Sequence, residues 1–189
     1  MSQKTPETIS RYISEVSATL ERLPTENIAQ VVGLLEEARL KAKQVFIFGN
    51  GGSAATASHF AADLSKGAIS PGKARIKAFA LTDNVALLSA WANDTTYENI
   101  FAEQLENILK PGDIAISISG SGNSQNVLNG IKLASAKGAT TVGFIGFDGG
   151  KLRELVDVHI IVPCHNMEQV EDIHLLLEHA ITTCLRGEA

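Results

Sequence analysis

Twice in this chain a short apolar run breaks off into a glycine- and serine-rich loop that leads straight into a segment with helical spacing. Residues 44–48 give way to Gly49-Asn-Gly-Gly-Ser53, and residues 113–118 give way to Ser119-Gly-Ser121-Gly-Asn-Ser124. The runs are β-branched, aromatic and apolar, as buried strands are, and the segment after each loop carries apolar residues at helical intervals. Strand, tight loop, helix is a restrictive plan. Glycines let a backbone approach a ligand, serines supply hydroxyl donors, and the first turn of a helix offers unpaired N–H groups at the positive end of its dipole. Such a loop suits a phosphate. It lacks the Lys-Ser/Thr of a nucleotide P-loop and does not fit G-x-G-x-x-G, which argues against nucleoside triphosphates and dinucleotides. The competing reading is a turn that merely caps a helix, with Ser124 or Asn123 as N-cap.

The rest of the chain fits around these two units. Residues 7–22 and 25–43 have helical spacing and precede any strand, Pro24 separating them and Thr25 offering a cap. Further strands are expected at 76–81, 140–145 and 158–162, with helices at 54–66, from the Thr82-Asp-Asn cap to 88, at 97–109, 127–137, a short one at 152–155, and a last one at 167–185. Five apolar strands alternating with helices predict an α/β fold, a doubly wound parallel sheet with an N-terminal helical extension. Ligands in such sheets sit beyond the carboxyl ends of the strands, so both loops should line one crevice. The last helix is apolar nearly all the way round and, with the leading helix pair, exceeds what one sheet needs to cover, which predicts a homo-oligomer.

Bulk composition removes several classes. The chain has 189 residues and a net charge of −5 with no cluster of Lys or Arg, whereas a nucleic-acid surface needs a concentrated basic face. No run approaches the roughly 18 apolar residues of a membrane span, and the amino terminus has no apolar leader core. Cys164 and Cys184 form no C-x-x-C pair and read as two buried thiols in a reducing compartment, the cytoplasm.

Titratable groups concentrate on two helices. His59 and Asp63 stand one helical turn apart, so they share a face and suit a divalent metal, an acid/base pair, or a plain surface ion pair. The last helix carries Glu168, Glu171, Asp172, His174, Glu178 and His179 in an apolar setting, where charge needs a partner. Glu171 and His179 are separated by about 12 Å along a straight helix, so one ion can join them only with help from elsewhere. His159, His165 and Trp91 read as structural.

Taken in order, Phe48-Gly-Asn-Gly-Gly-Ser-Ala, Ser58-His-Phe-Ala, Ala92-Asn-Asp, Ile118-Ser-x-Ser-Gly-Asn-Ser and the closing Glu-Asp-Ile-His helix resemble the sugar isomerase (SIS) domain, most closely its phosphoheptose isomerase branch. The resemblance spans nearly the whole chain. It implies one SIS domain over 1–189, a flavodoxin-like three-layer sandwich whose five-stranded sheet is parallel, with residues 1–43 contributing to the core of a homotetramer that has active sites between subunits. It implies conversion of sedoheptulose 7-phosphate to D-glycero-D-manno-heptose 7-phosphate, at the head of heptose supply for surface glycans. Substrate contacts would fall on Asn50, Gly51, Gly52, Ser53, Asn93, Asp94, Ser119, Gly120, Ser121, Ser124 and Glu171. Zinc would be held by His59, Asp63, Glu171 and His179, with Asp63 as base and His179 as acid. The other outcome within the resemblance is a non-catalytic SIS protein, a phosphosugar-sensing regulator or a replication-initiator-binding scaffold.

The sequence departs from that pattern where the family usually has Glu at 63, Gln at 171, Thr at 120 and an Arg near Gly67. The shorter Asp63 and the charged Glu171 imply either a variant metal site or a different phosphosugar.

Overall fold

Residues 45–48, 114–118 and 141–145 are apolar or small at every position, a pattern that only a strand covered on both faces can bury. In the computed structural model, which describes residues 4–187, they are the three central strands. The strands are β1 (Gln44–Gly49), β2 (Lys77–Ala80), β3 (Ile114–Ser119), β4 (Thr140–Gly146) and β5 (Val158–Val162), all parallel in the order β2-β1-β3-β4-β5. The helices are α1 (Lys4–Leu20), α2 (Thr25–Leu40), α3 (Gly52–Ala62), α4 (Val85–Asp94), α5 (Ala102–Ile108), α6 (Gln125–Ala136) and α7 (Met167–Arg186).

Side-chain alternation along β1 divides the core. Val45 and Ile47 pack with Val31 and Leu35 of α2, Phe60 of α3 and Ile173 and Leu177 of α7. Phe46 and Phe48 face the other way, onto Leu105 of α5 and Val127 and Ile131 of α6. The sheet is therefore wrapped on both faces, as the strand and helix alternation predicts. Strand order reverses between β1 and β3, because β1 is followed on one side by β2 and on the other by β3. A reversal of this kind parts the two connections and opens a crevice at the carboxyl ends of the strands.

Several local expectations are corrected. Thr25 is not the cap of α2: Pro24 holds that position, and no side chain bonds the first turn. Asn84, last of the Thr82-Asp-Asn trio, does cap α4 by accepting from Leu87 N, and α4 runs on to Asp94. The helix after the first loop changes pitch at Asp63 into a π-helical turn, Asp63–Gly67, closed by Ala68 N donating to Asp63 O at 2.8 Å. Residues 97–109 split into a 3-10 turn, Tyr97–Asn99, and α5. Cys164 is half-buried and Cys184 exposed, so neither is the buried thiol expected, and Trp91 is only half-buried. Helix α7 is covered along one stripe and leaves Leu175 and Leu176 exposed, as are Ile9 and Ile13 on α1. Among the described residues no helix is long and apolar enough to cross a membrane.

Candidate active site

Both glycine/serine loops leave adjacent strands at the same edge, and they meet. Gly51 takes a φ of +56°, which turns the chain abruptly from β1 into α3. Asn50 on the first loop and Asn126 in the first turn of α6 exchange amide hydrogen bonds of 2.9 and 2.8 Å, and Tyr97 donates its hydroxyl to Asn50 Oδ1 at 3.0 Å. This clasp ties the two loops together. Between them opens a cleft of about 180 Å³ lined by Asn50, Ser53, Ser119, Gly120, Ser121, Ser124, Met167 and Glu171. A larger apolar cleft of about 280 Å³ shares Asn50 with it.

The hydroxyls in the smaller cleft are arranged to donate. Ser119 Oγ accepts from Gly122 N at 3.2 Å and Ser121 Oγ from Asn123 N at 3.3 Å, which engages a lone pair of each and leaves its hydrogen for an anion. Ser124 stands at the N-cap position of α6, yet its side chain makes no capping bond. Asn123 bonds Ser121 O and Lys151 N instead of the helix. The simple capping alternative therefore does not describe this loop. Gly120, where the family usually has Thr, gives up its side-chain space to Met167: a Cβ built there would collide with Met167 Sδ. Glu171 comes down against Gly52, where a Cβ would lie 2.6 Å from its carboxylate oxygens. A carboxylate at the start of a helix is stabilised by that helix's dipole.

The second cluster lies at the far end of α3 and further along α7. His59 Nε2 is 3.9 Å from Asp63 Oδ1, and His179 Nε2 is 3.7 Å from Asp63 Oδ2, so one carboxylate faces two imidazoles. The rings meet edge to face, 5.0 Å between centroids. On the other side of His59, Nδ1 stands 3.2 Å from Glu178 Oε1. That contact is close enough for charge pairing but off hydrogen-bond alignment, for neither Glu178 oxygen has an aligned partner. His59, Glu178 and His179 can bring one ligand atom each within 4.8 Å of one another. Burial first, and the neighbouring Asp63 charge second, push the Glu178 carboxyl up to about 8.

A fully buried imidazole, His174, sits one turn before Glu178 and 6.2 Å from the Phe144 ring. Burial lowers it to about 4, partly offset by the Ile145 backbone.

Asn50, Gly51, Gly52, Ser53, Ser119, Gly120, Ser121, Ser124 and Glu171 thus gather at the strand ends, and His59, Asp63 and His179 gather beside them. Glu171 is the exception within the expected metal set: it faces the cleft and Gly52, while the buried carboxylate beside the histidines is Glu178. Asn93 and Asp94 do not line the cleft; they are exposed at the end of α4 and bonded to each other at 2.9 Å. Glu178, named among the charges of the last helix that need a partner, was not among the expected site residues. With His174, Ile181 and Leu185 it falls on one buried stripe of α7, and a carboxylate there calls for a partner.

Glycine- and serine-rich loops at adjacent strand ends, beside ionisable groups on flanking helices, place the chain among α/β sugar isomerase domains, and the SIS domain family matches residues 11–146; the chain belongs to that family. Within it, the chain is 39% identical over 173 residues to a phosphoheptose isomerase of Aquifex aeolicus (strain VF5), covering 92% of this chain and 90% of that one. Phosphoheptose isomerase from Neisseria gonorrhoeae superposes with a TM-score of 0.90 at 29% identity, over 97% of this chain and 99% of that one. The enzyme from Francisella tularensis superposes with a TM-score of 0.88 at 26% identity over the full length of both.

Proposed function

We propose that the chain is a phosphosugar aldose–ketose isomerase that converts sedoheptulose 7-phosphate to D-glycero-D-manno-heptose 7-phosphate, the reaction class its similar proteins are named for. The observation that carries this reading is helix α7, which reaches the anion cleft with Met167 and Glu171 and the histidine pair with His179. One sugar phosphate can therefore be held at its tail and worked at its head. Hydroxyls of Ser53, Ser119, Ser121 and Ser124 and loop amides take the phosphate. Asp63 removes the proton from C1 of the ketose while His179 protonates the carbonyl oxygen at C2, which gives the enediol. Asp63 then returns a proton to C2 and His179 takes the hydroxyl proton at C1, which completes the aldose. Glu171, in this assignment, accepts hydrogen bonds from the sugar hydroxyls.

The donors suit zinc. His59, Glu178 and His179 bring one ligand atom each within 4.8 Å of one another, and Asp63 faces the two imidazoles through its two different oxygens, at 3.9 and 3.7 Å. His59, Asp63 and His179 would hold the ion, with both rings about half exposed at 46% and 51%. Bound there, zinc would stabilise negative charge on the enediolate oxygens. The exposed Leu175, Leu176, Ile9 and Ile13 support burial of α1 and α7 between subunits of a homotetramer, in which Asn93 and Asp94 would complete a neighbouring cleft. A purely sensing SIS protein has no use for an acid/base pair beside its anion cleft.

Purified protein incubated with sedoheptulose 7-phosphate, with and without added zinc, is expected to yield aldose detectable by NMR. Absence of turnover under both conditions removes the isomerase reading.

A further inference from the structure

Helix α7 carries a carboxylate where folding alone would place an apolar side chain. The Glu178 side chain is wholly excluded from solvent, on the buried stripe it shares with His174, Ile181 and Leu185, and neither of its oxygens has an aligned hydrogen-bond partner. Buried groups of this kind are retained when another task requires them. The polar atom facing it is His59 Nδ1, at 3.2 Å. The other nitrogen of that ring, Nε2, faces Asp63, whose second oxygen faces His179 Nε2.

We propose that Glu178 is a positioning residue for His59: as a carboxylate it accepts the Nδ1–H, fixes that tautomer, and so presents the Nε2 lone pair toward Asp63 and His179. A neutral imidazole has one donor nitrogen and one acceptor, and whatever bonds the first dictates the second. His59 is otherwise under-determined, with its side chain 46% exposed. The two ring nitrogens point in diverging directions, so a group on Nδ1 lies behind the ring as seen from Nε2. That places Glu178 as a support to the ligating or reacting face of His59, not as a member of it. The inference rests on the reading of His59, Asp63 and His179 as the chemical end of the site.

Two variants of the full chain test it, Glu178→Gln and Glu178→Leu. In metal-free wild-type protein held well above pH 8, where the Glu178 carboxyl is ionised, long-range proton–nitrogen NMR should find His59 as the Nδ1–H tautomer, and Glu178→Leu should give a tautomer mixture. Cobalt(II) titrated as a metal probe should bind Glu178→Leu and Glu178→Gln about 10–100-fold more weakly than wild type, the usual effect of losing such a support, with the visible spectrum of the bound ion unchanged. The thermal midpoint of Glu178→Leu should rise, since a packing side chain removes the cost of burying an ionisable group. An unchanged His59 tautomer, or an altered cobalt spectrum that makes Glu178 a direct ligand, overturns the proposal. A midpoint that falls while the tautomer holds makes Glu178 a packing residue and overturns it too. If wild type binds no cobalt, the metal reading fails, and the tautomer measurement still decides the role of Glu178.

Discussion

The anion cleft and the histidine cluster are neighbours built on opposite terms. In the cleft, the loops are tied together by neutral hydrogen bonds: loop amides donate to Ser119 and Ser121, and Asn50 and Asn126 clasp each other with Tyr97 alongside. In the cluster, His59, Asp63, Glu178 and His179 approach at 3.2–3.9 Å without one aligned hydrogen bond between them. A satisfied network is rigid and suits recognition of a fixed group such as phosphate. A crowded, incompletely paired set of ionisable groups keeps protons mobile and leaves room for a cation or a reacting carbon. On the proposed assignment binding and chemistry are divided in space, and variants on the two sides should fail differently.

The sharpest separation is expected at Asp63→Asn and His179→Ala, which should lower turnover by about 10²–10⁴-fold while phosphosugar affinity, read by calorimetry, stays close to wild type. Equal losses of turnover and affinity would erase the distinction between the regions. Next comes the buried imidazole behind them. Below about pH 6.5 the unfolded chain takes up a proton that His174 refuses until about pH 4, so stability should fall across that window by about 3 kcal/mol. His174→Leu should flatten that acid limb in thermal melts recorded against pH; an unaltered limb would mean the imidazole is not excluded from protonation. On the cleft side, Ser121→Ala should weaken substrate binding by about tenfold, the loss of one bond to a charged group, with turnover at saturation retained. The smallest effect belongs to Gly120→Ala, whose added methyl displaces the flexible end of Met167. About 1 kcal/mol of stability should go, and most of it should return in Gly120→Ala/Met167→Ala, a coupling that a double-mutant cycle reads directly.

The cleft was legible before the fold because its parts are contiguous: a strand end, glycines and serines within a few residues state both the conformation and the chemistry. The clasp was not, since the Asn50–Asn126 pair joins residues far apart in sequence and neither asparagine is distinctive alone. The strands and their wrapping by helices followed from apolar runs and their alternation with helical segments. The π-helical turn at Asp63 was invisible because nothing in Asp-Leu-Ser-Lys-Gly opposes an ordinary helix. Glu171 was assigned to a metal by analogy of position. It turns to Gly52, where an unsubstituted backbone leaves space for its carboxylate. Glu178 stood among the charges of the last helix that need a partner but was not singled out, because a glutamate beside a histidine on a helix ordinarily faces water.

Helix α7 has one more consequence. Eight residues separate its Glu171 from its His179, a rise of about 12 Å at 1.5 Å per residue, and no hinge or proline interrupts that rod. On the proposed assignment it acts as a gauge for molecular length: a phosphorylated carbon chain too short to stretch from the serines to the imidazoles could be gripped at one end and left untouched at the other. Selectivity among sugar phosphates would then be a matter of reach.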